Sequence, residues 1–133
     1  MSEHFHALLW IDHREAKVFQ FNATEADHTT IRSQHPDQHI HHKANSGGSG
    51  HAPPDNEFFK RVLEGIAHAG AILITGPANA KTELVAYIKR VQPKFAERIS
   101  DVQTLDHPSD GDLLALGRSH FKADDRMHPQ SHG

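Results

Sequence analysis

The stretch Ile72–Leu84, "ILITGPANAKTEL", decides how the chain is read. A short apolar run ends in Gly76-Pro77, and Lys81-Thr82 opens a segment with helical spacing. That is a strand, a tight turn and a helix. It also invites comparison with a nucleotide-binding P-loop, which needs two glycines with four residues between them, followed by Lys and Ser or Thr. Here Gly76 is followed by Pro77, Ala78, Asn79 and Ala80, and Lys81 comes at once. The second glycine is missing, and Pro77 lacks an N–H that a phosphate cradle would use. The stretch is not a P-loop.

Downstream of the turn, Asn79 is placed to cap a helix whose Leu84, Val85, Ile88 and Val91 face inward. Lys89 and Arg90 lie at its favourable C-terminal end, and Pro93 lies beyond it. "KFAERI" adds a turn of helix, and "DVQTLD" (101–106) reads as a last strand. Ser109 and Asp112 start a final helix carrying Leu113, Leu114, Leu116 and Phe121. Upstream, Asp55 can cap a helix through Ala69, with Phe58, Phe59, Val62, Leu63 and Ile66 on one stripe and Gly70 to stop it. Residues 5–11, "FHALLWI", are apolar on nearly both faces and predict a central strand. "DHREA" is a polar turn into the alternating strand "AKVFQFN", making a hairpin over 5–22. "HTTIRSQ" (28–34) is a weaker third strand.

The order is therefore β-β-β-α-β-α-β-α. Three antiparallel strands precede two βα units, giving an α/β mixed sheet with the layout of the ribonuclease H-like fold. A single domain is expected over 1–122, with a disordered tail over 123–133. There is no internal repeat. Residues 35–54, "HPDQHIHHKANSGGSGHAPP", offer almost nothing to bury, and a loop this long is usually functional or disordered.

Composition narrows the classes. The chain of 133 residues suits one domain with a real core. It has no cysteine, which excludes disulfides and thiolate chemistry. No stretch reaches transmembrane length. "MSEHFHALLW" lacks a signal peptide's basic start and cleavage site, so a soluble cytoplasmic protein with no membrane partner is expected. There are 14 histidines. Charging all of them would raise the formal charge from -3 to +11, a change centred near pH ~6.5. At neutral pH only a local patch could attract nucleic acid.

Ile72-Leu73-Ile74 with Gly76, Lys81, Thr82, Glu83 and Leu84 resembles a segment in the middle domain of eukaryotic class-1 peptide release factors and their Pelota relatives. In that family a strand ends in a Gly-Pro or Gly-Ser turn and enters a helix reading Lys-Thr-Glu-Leu or similar. The opening strand, Asp12 and the hairpin into "EAKVF" resemble the family's first two strands. "HHKANSGGSGHA" takes the place of its basic, Gly-rich loop. The likeness covers roughly residues 5–121 and extends to small stand-alone bacterial proteins described as translational machinery proteins. It implies the ribonuclease H-like fold and a role on the ribosome. The release factors carry Gly-Gly-Gln at the loop tip, where the Gln helps place the hydrolytic water. This chain has Gly47-Gly48-Ser49-Gly50 there, and Ser49 has no amide. Pelota-type relatives also lack the Gln and act in ribosome rescue without hydrolysis. The codon-reading and partner-binding domains of those factors have no counterpart in this sequence. No residue is assigned a catalytic role, and no cofactor is called for.

The expected function is therefore binding to the ribosome, ribosomal RNA or tRNA through the loop. Its candidate contacts are His41, His42, Lys43, Gly47, Gly48, Ser49, Gly50 and His51. Glycines permit close backbone approach, while Lys and protonated His contact phosphates. Arg14, at the tip of the polar turn, is a further RNA contact to consider.

Two rivals use other chemistry. His39 with His41, or His4 with His6, share a face if extended, but no Cys/His spacing marks a metal site. A metal-dependent hydrolase or nuclease on the same fold would use carboxylates such as Asp12, Glu57 or Glu64, Asp106 and Asp110. Each of these also has an ordinary structural job in a turn, a helix start or a polar helix face. A homodimer through an exposed sheet edge is the third reading.

Overall fold

The computed structural model of the protein describes residues 6–22, 24–34 and 56–127. Five strands form one sheet: β1 (His6–Ile11), β2 (Glu15–Phe21), β3 (Ala26–Arg32), β4 (Ala71–Gly76) and β5 (Ile99–Thr104). The helices among the described residues are α1 (Asn56–Ile66), α2 (Ala80–Val91), the single turn α3 (Pro93–Ala96) and α4 (Asp110–Met127). The strand order is β3-β2-β1-β4-β5. β1 pairs antiparallel with β2 and parallel with β4, and β5 continues the parallel half. This is the expected α/β mixed sheet, compatible with the ribonuclease H-like arrangement.

β1 is central because both of its faces are covered. Successive strand side chains point to opposite faces, so a strand between two helical layers is apolar throughout. Ala7, Leu9 and Ile11 join Val18, Ile72 and Ile74 against Phe58, Phe59, Val62 and Ile66 of α1 and Leu84 and Ile88 of α2. Leu8, Trp10, Phe19, Phe21 and Leu73 meet Leu113 and Phe121 of α4 on the other face. Each buried large side chain of this kind stabilises by about 1.5–3 kcal/mol. The two layers together hold the sheet.

Several boundaries differ from those expected, each for a local reason. β3 begins at Ala26 because Asn22 closes the preceding turn, its Oδ1 accepting the amides of Thr24 and Glu25 at 2.9 and 2.8 Å. α1 ends at Ile66, and the Ala69 amide closes a further turn on the Ile66 carbonyl at 3.0 Å. The expected cap Asp55 lies outside the described residues. Asn79 does precede α2, but its own backbone is helical (φ -87°, ψ -10°) and its side chain makes no cap bond. Ser109 does cap α4, its Oγ accepting the Asp112 amide at 3.1 Å. β5 lies two residues earlier than expected, and α4 runs to Met127, beyond residue 122. Val91 corrects another expectation: at 43% it is exposed, because the chain turns at Gln92-Pro93 and Phe95 fills the core instead.

Candidate nucleic-acid interface

Residues 41–43 and 47–51, which carry the proposed loop contacts, lie outside the described residues, as do His4 and His39. Both roots of that segment are described. β3 ends at Arg32, and the next residue, Ser33, is buried, its amide donating to the Arg14 carbonyl at 2.9 Å. The chain returns at α1, where Arg61 donates to the Arg32 carbonyl at 2.5 Å. The end of β3, the hairpin tip and Arg61 of α1 thus meet at one corner of the sheet. Asp12, Arg14, Glu15, Arg32 and Ser33 line a cavity of about 380 Å³ there.

This corner holds three arginines. Arg14 is exposed, and the Arg32 side chain is 76% exposed and 3.8 Å from Glu15, a distance at which solvent screens most of the attraction. The structure therefore brings the sequence candidate Arg14 beside Arg32 and Arg61, which sequence reading had not singled out. Their meeting depends on β2–β3 pairing and the seating of α1, and neither leaves a local signal.

β1, β4 and β5 are parallel, so their carboxyl ends open on one rim, where ligands of open α/β sheets usually sit. Two of the candidate carboxylates of that rim, Asp12 and Asp110, are committed to structure. Asp12 Oδ1 accepts the amides of Arg14 and Glu15 at 2.8 and 2.9 Å, closing the hairpin. Asp110 accepts from Lys17 at 3.1 Å, and His28 lies 3.8 Å from its other oxygen. Asp106 is 92% exposed and pairs with His107, while Trp10 Nε1 donates to its backbone carbonyl at 2.8 Å. His13 joins the hairpin tip to Glu83 of α2 at 3.1 Å. Glu57 and Glu64 are exposed on α1, and the sheet separates that layer from the α4 layer where Asp110 starts. Among the described residues, no group of three or more His, Asp or Glu side chains is placed to hold a metal ion.

The two residues that imitate a P-loop also have structural work. Gly76 passes so close to β1 that a Cβ there would meet the Ile11 carbonyl oxygen at 2.2 Å. Lys81 is only 8% exposed and donates its ammonium to the Ala78 carbonyl at 2.6 Å, bracing the turn from below. No helix among the described residues is long and apolar enough to cross a membrane.

No family model matches the sequence, and no curated protein does. Solved structures do match. Pelota from Archaeoglobus fulgidus superposes with a TM-score of 0.60 at 13% identity, over 87% of this chain and 31% of its own. The archaeal translation termination factor aRF1 gives 0.56 at 12%, over 96% and 41%. Dom34 from S. cerevisiae, described as a translation termination-like factor involved in RNA quality control pathways and interacting with Hbs1, gives 0.56 at 10%, over 97% and 37%. The chain thus spans about a third to two-fifths of these proteins. At such identities it is similar to them in architecture, and the fold expected from the "GPANAKTEL" turn is the fold found: that of Pelota and the release factors.

Proposed function

We propose that this chain is a non-catalytic, translation-associated module that binds the ribosome, ribosomal RNA or tRNA through the Gly- and His-rich segment 35–54. One observation carries the reading: the likeness in fold to Pelota, aRF1 and Dom34, of which the last two are described as a translation termination factor and a translation termination-like factor. The root of the segment adds support. Arg14, Arg32 and Arg61 gather where it leaves β3, the kind of cationic setting that contacts phosphate. The contacts assigned to the segment are His41, His42, Lys43 and His51, with Gly47, Gly48, Ser49 and Gly50 allowing close approach. Ser49 takes the place of the release-factor Gln in this reading, so the module binds without hydrolysing peptidyl-tRNA. The committed rim carboxylates favour this over a metal-dependent nuclease.

The test is sedimentation with ribosomes, comparing the whole chain with a deletion of Ala44 to Gly50. Pelleting of the whole chain and its loss in the deletion support the reading. Equal pelleting by both clears the segment of any part in recognition. An RNA cleavage assay with and without chelator accompanies it, and chelator-sensitive turnover would return the nuclease to first place.

A further inference from the structure

A second surface lies away from that corner, in the groove between α1 and the bend that joins α2 to α3. The groove encloses about 460 Å³. Its floor is apolar, made by Leu63, Tyr87, Val91 and Phe95. Val91 is one of only two large hydrophobic side chains exposed among the described residues, and the bend explains why nothing covers it. Gln92 leaves the helix (φ -141°, ψ 67°) and Pro93 restarts the chain as α3, so the last turn of α2 overhangs the space beside α1.

The rim is charged, and mostly of one sign. Lys60, Lys94 and Arg98 line it together with Glu64, three cations to one carboxylate. This excess sits on a chain whose formal net charge is -3, so it is a local feature set against the global charge. Arg98 is held in place: its Nη1 donates to the Ala67 and Ala69 carbonyls at 3.3 and 3.1 Å, and its guanidinium lies 5.3 Å over the Phe95 ring. Lys60 and Lys94 have no ion-pair partner among the described residues and are exposed. An apolar floor between two helices with a cationic rim matches the anatomy of a site for an amphipathic segment.

We infer that this groove docks an acidic amphipathic segment of a partner protein, seating an apolar side chain on Leu63 and Val91 and its carboxylates against Lys60 and Lys94. A nucleic acid fits less well. Arg90 lies 5.4 Å over the Tyr87 ring and Arg98 covers Phe95, so a face of each ring that a base would stack on is already taken. This inference is independent of the loop's proposed binding of RNA.

The experiment is fluorescence anisotropy of the full chain with a labelled amphipathic peptide of Leu and Glu, against its Leu and Lys counterpart. The acidic peptide should bind and the basic one should not. Reversing Lys60→Glu and Lys94→Glu together should weaken binding by about tenfold or more, through loss of complementary charge. Lys60→Arg with Lys94→Arg should restore it, and Val91→Asp should abolish it, with circular dichroism confirming the fold of each variant. The inference is overturned if the acidic peptide fails to bind, or if the charge reversal leaves its affinity unchanged. Displacement by a single-stranded oligonucleotide at lower concentration would overturn it in favour of a nucleic acid. Self-association that depends on Val91 would overturn it in favour of a second copy.

Discussion

Gly76 and Ile11 lie closer than any side chain would permit: a Cβ at residue 76 would stand 2.2 Å from the Ile11 carbonyl oxygen. Both residues belong to the central parallel pair, β4 and β1, where neither backbone has room to retreat. Gly76→Ala should therefore destabilise the fold by about 3 kcal/mol, the upper end of overpacking costs, because the clash is with backbone. Urea denaturation measures it. A loss under about 1 kcal/mol would show that the strand ends can part, and the glycine would again need a functional explanation.

Lys81 gives the complementary prediction. Its bond to the Ala78 carbonyl is charge-assisted and largely sheltered, so Lys81→Met should cost about 1.5 kcal/mol while keeping the buried stem. Titration with magnesium ATP should detect no binding before or after the change. Measurable ATP affinity that vanished in the variant would reinstate the phosphate-binding reading of this turn.

Which parts of this protein were legible in the sequence follows from how far each signal reaches. β1 showed as central because burial on both faces writes an unbroken apolar run, and α1 because Phe58, Phe59, Val62 and Ile66 repeat at helical spacing. Ser109 was readable as a cap because it reaches only three residues ahead. Asn79 misled because capping also depends on the residue's own backbone angles, which a sequence does not state. Val91 misled because its periodicity is right while the bend at Gln92 removes its neighbour. The candidate carboxylates show the same divide. Asp12 was recognisable as a turn residue, whereas the pairing of Asp110 with Lys17 spans 93 positions and could not be foreseen.

The histidine content makes the proposed RNA binding dependent on pH in a definite direction. At pH 7.5 an unperturbed imidazole is mostly neutral, and at pH 6 it is mostly cationic, so acidification adds positive charge facing phosphate. RNA affinity at low salt should therefore rise by about tenfold between those values. The chain holds 14 histidines, so the comparison must include a variant with His41, His42 and His51 changed to Asn. That variant should lose most of the pH dependence. If it keeps the full effect, these three imidazoles are not the phosphate contacts.

Gly117 tests how tightly α4 is seated on the second face of the sheet. A glycine inside a helix costs about 1 kcal/mol relative to alanine, so Gly117→Ala would stabilise a helix with open space around it. Here a Cβ would come within 2.9 Å of two Phe21 ring atoms and 3.3 Å of the Leu8 Cβ. Phe21 is 2% exposed and in ring contact with Phe121 at 6.1 Å, so its ring has little freedom to step aside. Overpacking of this kind costs about 1–3 kcal/mol, and at the middle of that range it outweighs the gain in propensity. The expected outcome is net destabilisation of about 1 kcal/mol by urea denaturation, with weaker amide-exchange protection in α4 than in α2. A more stable variant would mean that α4 can lift from the sheet at little cost, and that its packing on Phe21 is looser than these distances require.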